Sequence, residues 1–252
     1  MAEIRSSNLR GPILVFNGSN KTRVRFGVST SSLLIMPNNC ILCNNSSVFP
    51  LEFIKTYKKL GNRSYIRCPE CDLIFVPKAC HLSHKEEEAR YNLHHNTISN
   101  EGYVNNFNEI ISIVRQYCPD VNSVLDYGCG PGPVLAELLK RNGFECDVYD
   151  PIFFPGFPSR SYDLVISTEV FEHFRNVKTE FERVISLIRP GGFLAIMTLL
   201  HDPISDFESW WYHSDPTHIS FYSMKTFEWI CGRYSLNIIF TNMKNIIILK
   251  IL

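Results

Sequence analysis

Between Val121 and Leu200, short apolar runs alternate with stripes of helical period. "SVLDYG", "ECDVYDP", "YDLVISTEV" and "FLAIMTLL" are apolar or β-branched segments of strand length. "PVLAELLKRNG" places leucines on a helical face and stops at Gly143, and "KTEFERVISLIRPGG" reads as a helix closed by Pro190 and Gly191. The tail "LNIIF…NIIILKIL" predicts a hairpin around Asn242–Asn245. Strands separated by helices predict an α/β fold. Its sheet is mainly parallel, carries helices on both faces and binds its ligand at the carboxyl ends of the strands.

The pattern changes upstream. Residues 83–120 are helical in period: Ser83 is an N-cap for "SHKEEEARYNL", and Phe107, Ile110, Ile111 and Val114 share a face of the next helix. Residues 36–82 are strand-like and cysteine-bearing, in "SYIRC" and "CDLIFVP". Residues 1–35 mix Ser, Asn, Gly and Arg without a period and predict a poorly ordered leader. The expected organisation is therefore a leader (1–35), a small cysteine module (36–82), a helical connector or cap (83–120) and the α/β domain (121–252).

Composition adds exclusions. Hydrophobic residues are 45% of the chain, enough for a packed core. The 25 basic and 25 acidic residues cancel, so no field of one sign steers a polyanion to the whole molecule. No apolar run approaches the roughly 18 residues that span a bilayer. No cleavable secretory signal is visible, so the expectation is no membrane partner and a reducing cytoplasm for the nine cysteines.

In that setting two Cys-x-x-Cys pairs favour metal. Cys40, Cys43, Cys68 and Cys71 form two knuckles separated by 24 residues. They can present four thiolates tetrahedrally to Zn2+ at about 2.3 Å. Four cysteine ligands leave no open position, so the metal would be structural, and residues 36–82 would form a zinc ribbon.

After the first strand of the α/β domain the glycines Gly128, Gly130 and Gly132 follow the G-x-G-x-G spacing, with Asp126 just before them. A dinucleotide loop reads G-x-G-x-x-G and cradles a pyrophosphate. A carboxylate beside a pyrophosphate is repulsive. A phosphate-free adenosyl compound with a cationic ammonium, S-adenosylmethionine, suits Asp126 better. Tyr127 and Cys129, interleaved with these residues, are expected to lie along the same ligand. Asp150 ends the second strand 24 positions beyond Asp126, where an acid can accept both ribose hydroxyls.

"LDYGCGPG", "VYDP", "YDLVISTEVFEHF" and "LIRPGGFLAIMT", in this order over residues 121–200, resemble the motifs of class I S-adenosylmethionine-dependent methyltransferases, in particular the compact subgroup with an E-V-x-E-H signature. The resemblance implies a Rossmann-like sheet ending in an antiparallel hairpin. It implies cofactor contacts from Asp126, Gly128, Gly130, Asp150 and Glu169. One departure stands out: only 11 residues separate Asp150 from Tyr162, where the family fits a helix, a third strand and an acid for the adenine amine. The sheet is expected to be shortened, with Ile152, Phe153 or Phe154 covering the adenine.

Two clusters remain for the acceptor. "RYNLHHN" puts Arg90 and His94 on one helix face, with Tyr91 beside them. "FESWWYHSDPTHISFYS" follows the fifth strand and supplies Trp211, Tyr212, Asp215 and His218. His218 and His173 are the candidate general bases, with Tyr212 beside them, because an imidazole takes a proton near neutral pH. Arg90, Tyr91, His94, Trp211 and Asp215 are candidate acceptor contacts. The expected reaction is methyl transfer to a small molecule. The alternatives are an RNA methyltransferase whose ribbon reads nucleic acid, and an inactive module that only binds S-adenosylmethionine.

Overall fold

The computed structural model describes residues 39–57, 61–93, 97–202 and 206–252. The expected leader and His94 lie outside the described residues. All described residues belong to one unit, Ile35–Leu252.

Strands β1 (Phe49–Tyr57), β2 (Gly61–Arg67) and β3 (Ile74–Phe75) form an antiparallel meander. Helix α1 (His84–Tyr91) begins at Ser83, whose hydroxyl accepts the Glu86 amide while the Glu86 carboxylate accepts the Ser83 amide. That reciprocal cap explains why so short and polar a helix starts where it does. Helix α2 (Glu101–Tyr117) is capped by Asn100 and buries Phe107, Ile110, Ile111 and Val114, the expected face.

The α/β domain follows with β4 (Ser123–Tyr127), α3 (Val134–Arg141), β5 (Glu145–Tyr149), β6 (Tyr162–Thr168), α4 (Val177–Ile185) and β7 (Ile188–Met197). It closes with β8 (Ser220–Phe221), α5 (Met224–Tyr234), β9 (Leu236–Thr241) and β10 (Ile246–Ile251). The large sheet has the order β5-β4-β6-β7-β10-β9. β5, β4, β6 and β7 are parallel, and β10 runs antiparallel to both β7 and β9. No strand intervenes between β5 and β6 in sequence, as the short segment after Asp150 implied.

Successive residues of β4 serve opposite faces. Val124 packs with α2 and α3 through Ile110, Leu135 and Leu139. Leu125 packs with α4 and α5 through Phe181 and Phe227. Three layers result, which is why the strands are apolar throughout rather than alternating.

Two features differ from expectation. The helix expected to close at Pro190 and Gly191 ends at Ile185, and "IRPGG" already belongs to β7. A register shift between Tyr162 and Leu164 against β7 absorbs these residues, with Gly191 at φ +76°. A Cβ on Gly192 would lie 2.8 Å from the Asp163 carbonyl, so the close strand approach needs that glycine. Second, β8 leaves the large sheet's domain and pairs with β3, completing a four-stranded sheet β1-β2-β3-β8.

Candidate active site

The carboxyl ends of β4, β5 and β6 open into a cavity of about 880 Å³. One side of it is nearly continuous chain. Asp126, at the end of β4, is 2% exposed, and its Oδ2 has no hydrogen-bond partner among the described residues. Burial pushes its carboxyl up to about 7, against the Ala136 amide and with the Asp150 charge adding. A buried carboxylate oxygen left open in this way calls for a donor or a cation.

Gly128 (φ +82°) and Gly130 (φ +65°) turn the chain out of β4 in the left-handed region. A Cβ on Gly128 would fall 2.4 Å from Val170 Cγ2. The Gly128 and Cys129 amides donate to the Tyr149 carbonyl at 2.7 and 3.2 Å, tying the loop to the end of β5. Gly132 accepts from the Val134 amide at 2.8 Å as α3 begins. The Tyr127 ring lies 5.1 Å from that of Tyr149, and its hydroxyl donates to Glu180 at 3.4 Å.

Asp150 is partly engaged by its own loop. Oδ1 accepts the Ile152 and Phe153 amides at 2.8 and 3.0 Å, and Oδ2 accepts the Gly130 amide at 3.1 Å. A carboxylate offers about four acceptor positions, so Oδ2 keeps one for a further donor. Ile152 and Phe153 line the cavity, whereas Phe154 forms a bridge with Asp150.

The other side gathers distant segments. Glu169, just past β6, has φ +54°, a costly conformation for a non-glycine residue. Its side chain opens onto the cavity, yet the enclosing protein and nearby Glu172 push its carboxyl well above the usual range. Glu172 is fully buried, and burial raises its carboxyl too. The Tyr212 hydroxyl donates to Glu172 and lies 3.2 Å from Glu169, and Thr198 donates to Glu172 at 2.9 Å.

His173 and His218 stand 5.0 Å apart between Tyr91 and Tyr212, with centroids 5.4 and 4.2 Å from those rings. Their Nδ1 atoms face the carbonyls of Thr217 (3.0 Å) and Tyr212 (2.7 Å). A carbonyl can only accept, so each Nδ1 carries the proton and each Nε2 is left as an acceptor. Burial lowers both imidazoles, His218 to about 3 with His173 adding to the effect. Glu172, His173 and His218 also bring metal-ligand types of atom within 4.8 Å of one another, but both Glu172 oxygens already accept hydroxyl bonds.

Asp215 ties α1 to the loop after β7. Its Oδ2 accepts from Arg90 Nη2 at 2.7 Å and Nε at 3.1 Å, and its Oδ1 accepts the Thr217 amide and hydroxyl. Burial alone would raise this carboxyl, but Arg90 and Thr217 outweigh it and hold it well below the usual range. Trp211 is 68% exposed at the rim. Sequence reasoning missed Glu172, Thr198 and the α2 residues Tyr103 and Phe107, which also line or support the cavity. The second acid of "EVFEHF" was the available signal for Glu172.

The cysteine quartet lies in the β1–β3 module. Cys40 Sγ is 3.6 Å from Cys71 Sγ, and Cys43 Sγ is 3.4 Å from Cys68 Sγ, with all four within 4.8 Å. Ligands at about 2.3 Å from a tetrahedral centre would be separated by about 3.8 Å, so the quartet fits Zn2+. The knuckles share one geometry: Asn44 and Asp72 follow the second cysteine of each at φ +63° and +62°. Their amides donate back to the carbonyls of Cys40 and Cys68 at 3.1 and 2.9 Å.

Known proteins share parts of this chain's sequence and fold. A family profile described as "Methyltransferase domain" matches residues 103–240. A 6-hydroxymellein synthase, cdmE, from Talaromyces verruculosus is 27% identical over 121 residues, 45% of this chain and 4% of that protein. An uncharacterized methyltransferase, Rv0089, from Mycobacterium tuberculosis is 27% identical over 99 residues, 31% of this chain and 50% of that protein. The chain thus spans half the length, or far less, of these curated relatives. Among solved structures, DesVI of Streptomyces venezuelae superposes with a TM-score of 0.44 at 14% identity, over 68% of this chain and 99% of that one. Among the described residues, no helix is long and apolar enough to cross a membrane.

Proposed function

We propose that this chain, which belongs to the methyltransferase-domain family and is a class I S-adenosylmethionine-dependent enzyme, methylates a small molecule. The observation that carries the acceptor class is the Arg90–Asp215 ion pair. It ties α1 to the loop after β7 on the acceptor side of the cavity, and a wall closed in this way suits an enclosed small acceptor better than a polymer in an open groove.

S-adenosylmethionine, when bound, supplies an electrophilic methyl on a sulfonium. Asp126 Oδ2 offers its open acceptor position to the donor's cationic end. Gly128 and Gly130 permit close backbone approach, with Tyr127, Cys129 and Gly132 completing the loop. Asp150 Oδ2 takes one ribose hydroxyl, and Ile152 and Phe153 cover the adenine. Glu169 faces the donor from the end of β6. Tyr91, Trp211 and the Arg90–Asp215 pair shape the acceptor side. Tyr212 holds the Glu169–Glu172 pair. His173 and His218 accept a hydrogen bond from the nucleophile at Nε2 and aim its lone pair at the methyl group. The leaving thioether is neutral, so alignment is the larger contribution, about 7–11 kcal/mol in well-oriented systems. Zn2+ would be held by Cys40, Cys43, Cys68 and Cys71 and has a structural role. The thiolates of that site suit a reducing cytoplasm.

Incubating the protein with methyl-labelled donor and cell extract tests the reading: label should enter the small-molecule fraction. Label in RNA would replace this acceptor class. Asp150→Ala should abolish micromolar donor binding in calorimetry, and unchanged affinity would remove the ribose role.

A further inference from the structure

The acceptor side of the cavity is not built by the α/β domain alone. Strand β2 leads directly into Cys68 and carries Arg63, which is only 3% exposed. Arginine is rarely buried to this degree. Among the described residues its guanidinium meets backbone carbonyls. Nη2 donates to Pro216 O at 2.6 Å, and Nη1 reaches Asp215 O at 3.5 Å. The guanidinium lies 5.6 Å from the centroid of the Tyr57 ring, and the Tyr57 hydroxyl donates to the His213 carbonyl. One strand further on, β3 pairs with β8, and the Val76 amide donates to Ile219 O at 2.9 Å.

The turn bearing Asp215 and His218 is therefore held from behind by the β1–β3 module, at the carbonyls of 213, 215, 216 and 219. Its other face looks into the cavity. Those carbonyls belong to a loop with no ladder of its own, and a rigid guanidinium fork can satisfy two of them from one side chain.

We infer that Arg63 is a positioning residue for the acceptor site, fixing the 213–218 backbone so that His218 Nε2 and the Asp215–Arg90 pair keep their places. The ribbon and the α/β domain thus build one acceptor site jointly. The part concerning turnover rests on the acceptor reading above; the part concerning loop order does not. In support, the Arg63 charge acts alongside burial and His173 in keeping His218 neutral.

The test uses the full chain with its metal, comparing wild type, Arg63→Met and Arg63→Lys. Three readouts are taken: amide exchange of residues 213–218, affinity for S-adenosylhomocysteine by calorimetry, and label transfer into the fraction that wild type methylates. In Arg63→Met, exchange in 213–218 should accelerate by about tenfold or more, as expected for loss of charged hydrogen bonds. Label transfer should fall with it, while nucleoside affinity stays within about twofold, as for a distant site. Arg63→Lys keeps the charge without the fork and should recover part of both losses. Wild-type exchange in Arg63→Met would overturn the inference. So would loosening that spreads equally to residues 124–150 with loss of S-adenosylhomocysteine binding, because Arg63 would then only stabilise the fold. If no extract fraction takes label, the acceptor reading fails alone, and exchange with nucleoside affinity still decides the role of Arg63.

Discussion

The two sides of the cavity are built by different means. The side with Asp126, the glycine turn and Asp150 comes from the ends of adjacent strands. Its geometry is set by parallel register, Asp126 opposite Val148 and Tyr127 opposite Tyr149. The side with Tyr91, His173, Tyr212 and His218 comes from three remote segments, α1, the turn after β6 and the loop after β7. Side chains bonded to backbone carbonyls hold them together, including two bonds from Arg63 and one from Tyr57. A sheet edge is backed by the whole core, whereas a loop assembly is only as firm as its cross-ties. The side proposed to hold the nucleoside should therefore survive damage that disorders the side proposed to hold the acceptor.

The largest test of that contrast is metal removal. Structural Zn2+ contributes about 10–16 kcal/mol of apparent binding energy to folding in small modules. Chelation, or Cys68→Ser, should expose residues 40–80 to protease and raise amide exchange through 213–221, while S-adenosylhomocysteine binding weakens but persists. Unchanged protease resistance in metal-free protein would end the zinc assignment.

The next effect is confined to the nucleoside side. The folded Asp126 carboxyl titrates near 7, above its ordinary value of 3.8. A raised carboxyl penalises the ionised folded state, so this residue costs stability progressively as pH rises from about 4 to about 7, then no further. Asp126→Asn should remove that loss. The ligand-free variant should be about 2–4 kcal/mol more stable than wild type at pH 8, and equal to it below pH 4. Donor affinity should fall at the same time. Denaturant unfolding across pH, with and without S-adenosylmethionine, checks both; identical pH profiles for variant and wild type would refute the buried-charge account.

Gly128→Ala probes the same side by shape. The new methyl meets the stiff Val170 side chain in a left-handed backbone, at a cost of about 2–3 kcal/mol. A lowered Tm with weakened donor binding is expected. Amide exchange in 213–218 should not change, and a change there would mean the two sides are not separable. The smallest effect belongs to Trp211→Ala at the exposed rim. Stability and donor affinity should stay within about 0.5 kcal/mol. The acceptor KM should rise by a few fold, read from label-transfer kinetics, and an unaltered KM would take Trp211 out of the acceptor site.

Legibility in the sequence follows the same division. The Asp126–Gly132 turn, the Ser83 cap and the paired cysteine knuckles are local patterns, and the structure puts each where its spacing implied. Pro190 and Gly191 misled for a physical reason. Both end helices, but here they sit in a strand irregularity that only the register with β6 reveals. Glu172 stands in "EVFEHF" with no local sign of its role, because nothing nearby in sequence says that Tyr212 and Thr198 will meet it. Arg63 carried no signal at all, since its partners are carbonyls more than 150 positions away.

Period and spacing by themselves thus determined the α/β alternation, the glycine turn with its acid and the cysteine quartet, and the family resemblance added the shortened segment after Asp150. Each depends on residues within a few turns or one strand of one another, where backbone geometry leaves few options. Tertiary structure alone decided that β8 joins the β1–β3 sheet, that Arg90 reaches Asp215, and that two histidines face one cavity. Those outcomes arise from pairing backbone and side-chain polar groups across long loops, and every residue type involved has many equivalent partners until the core has placed them.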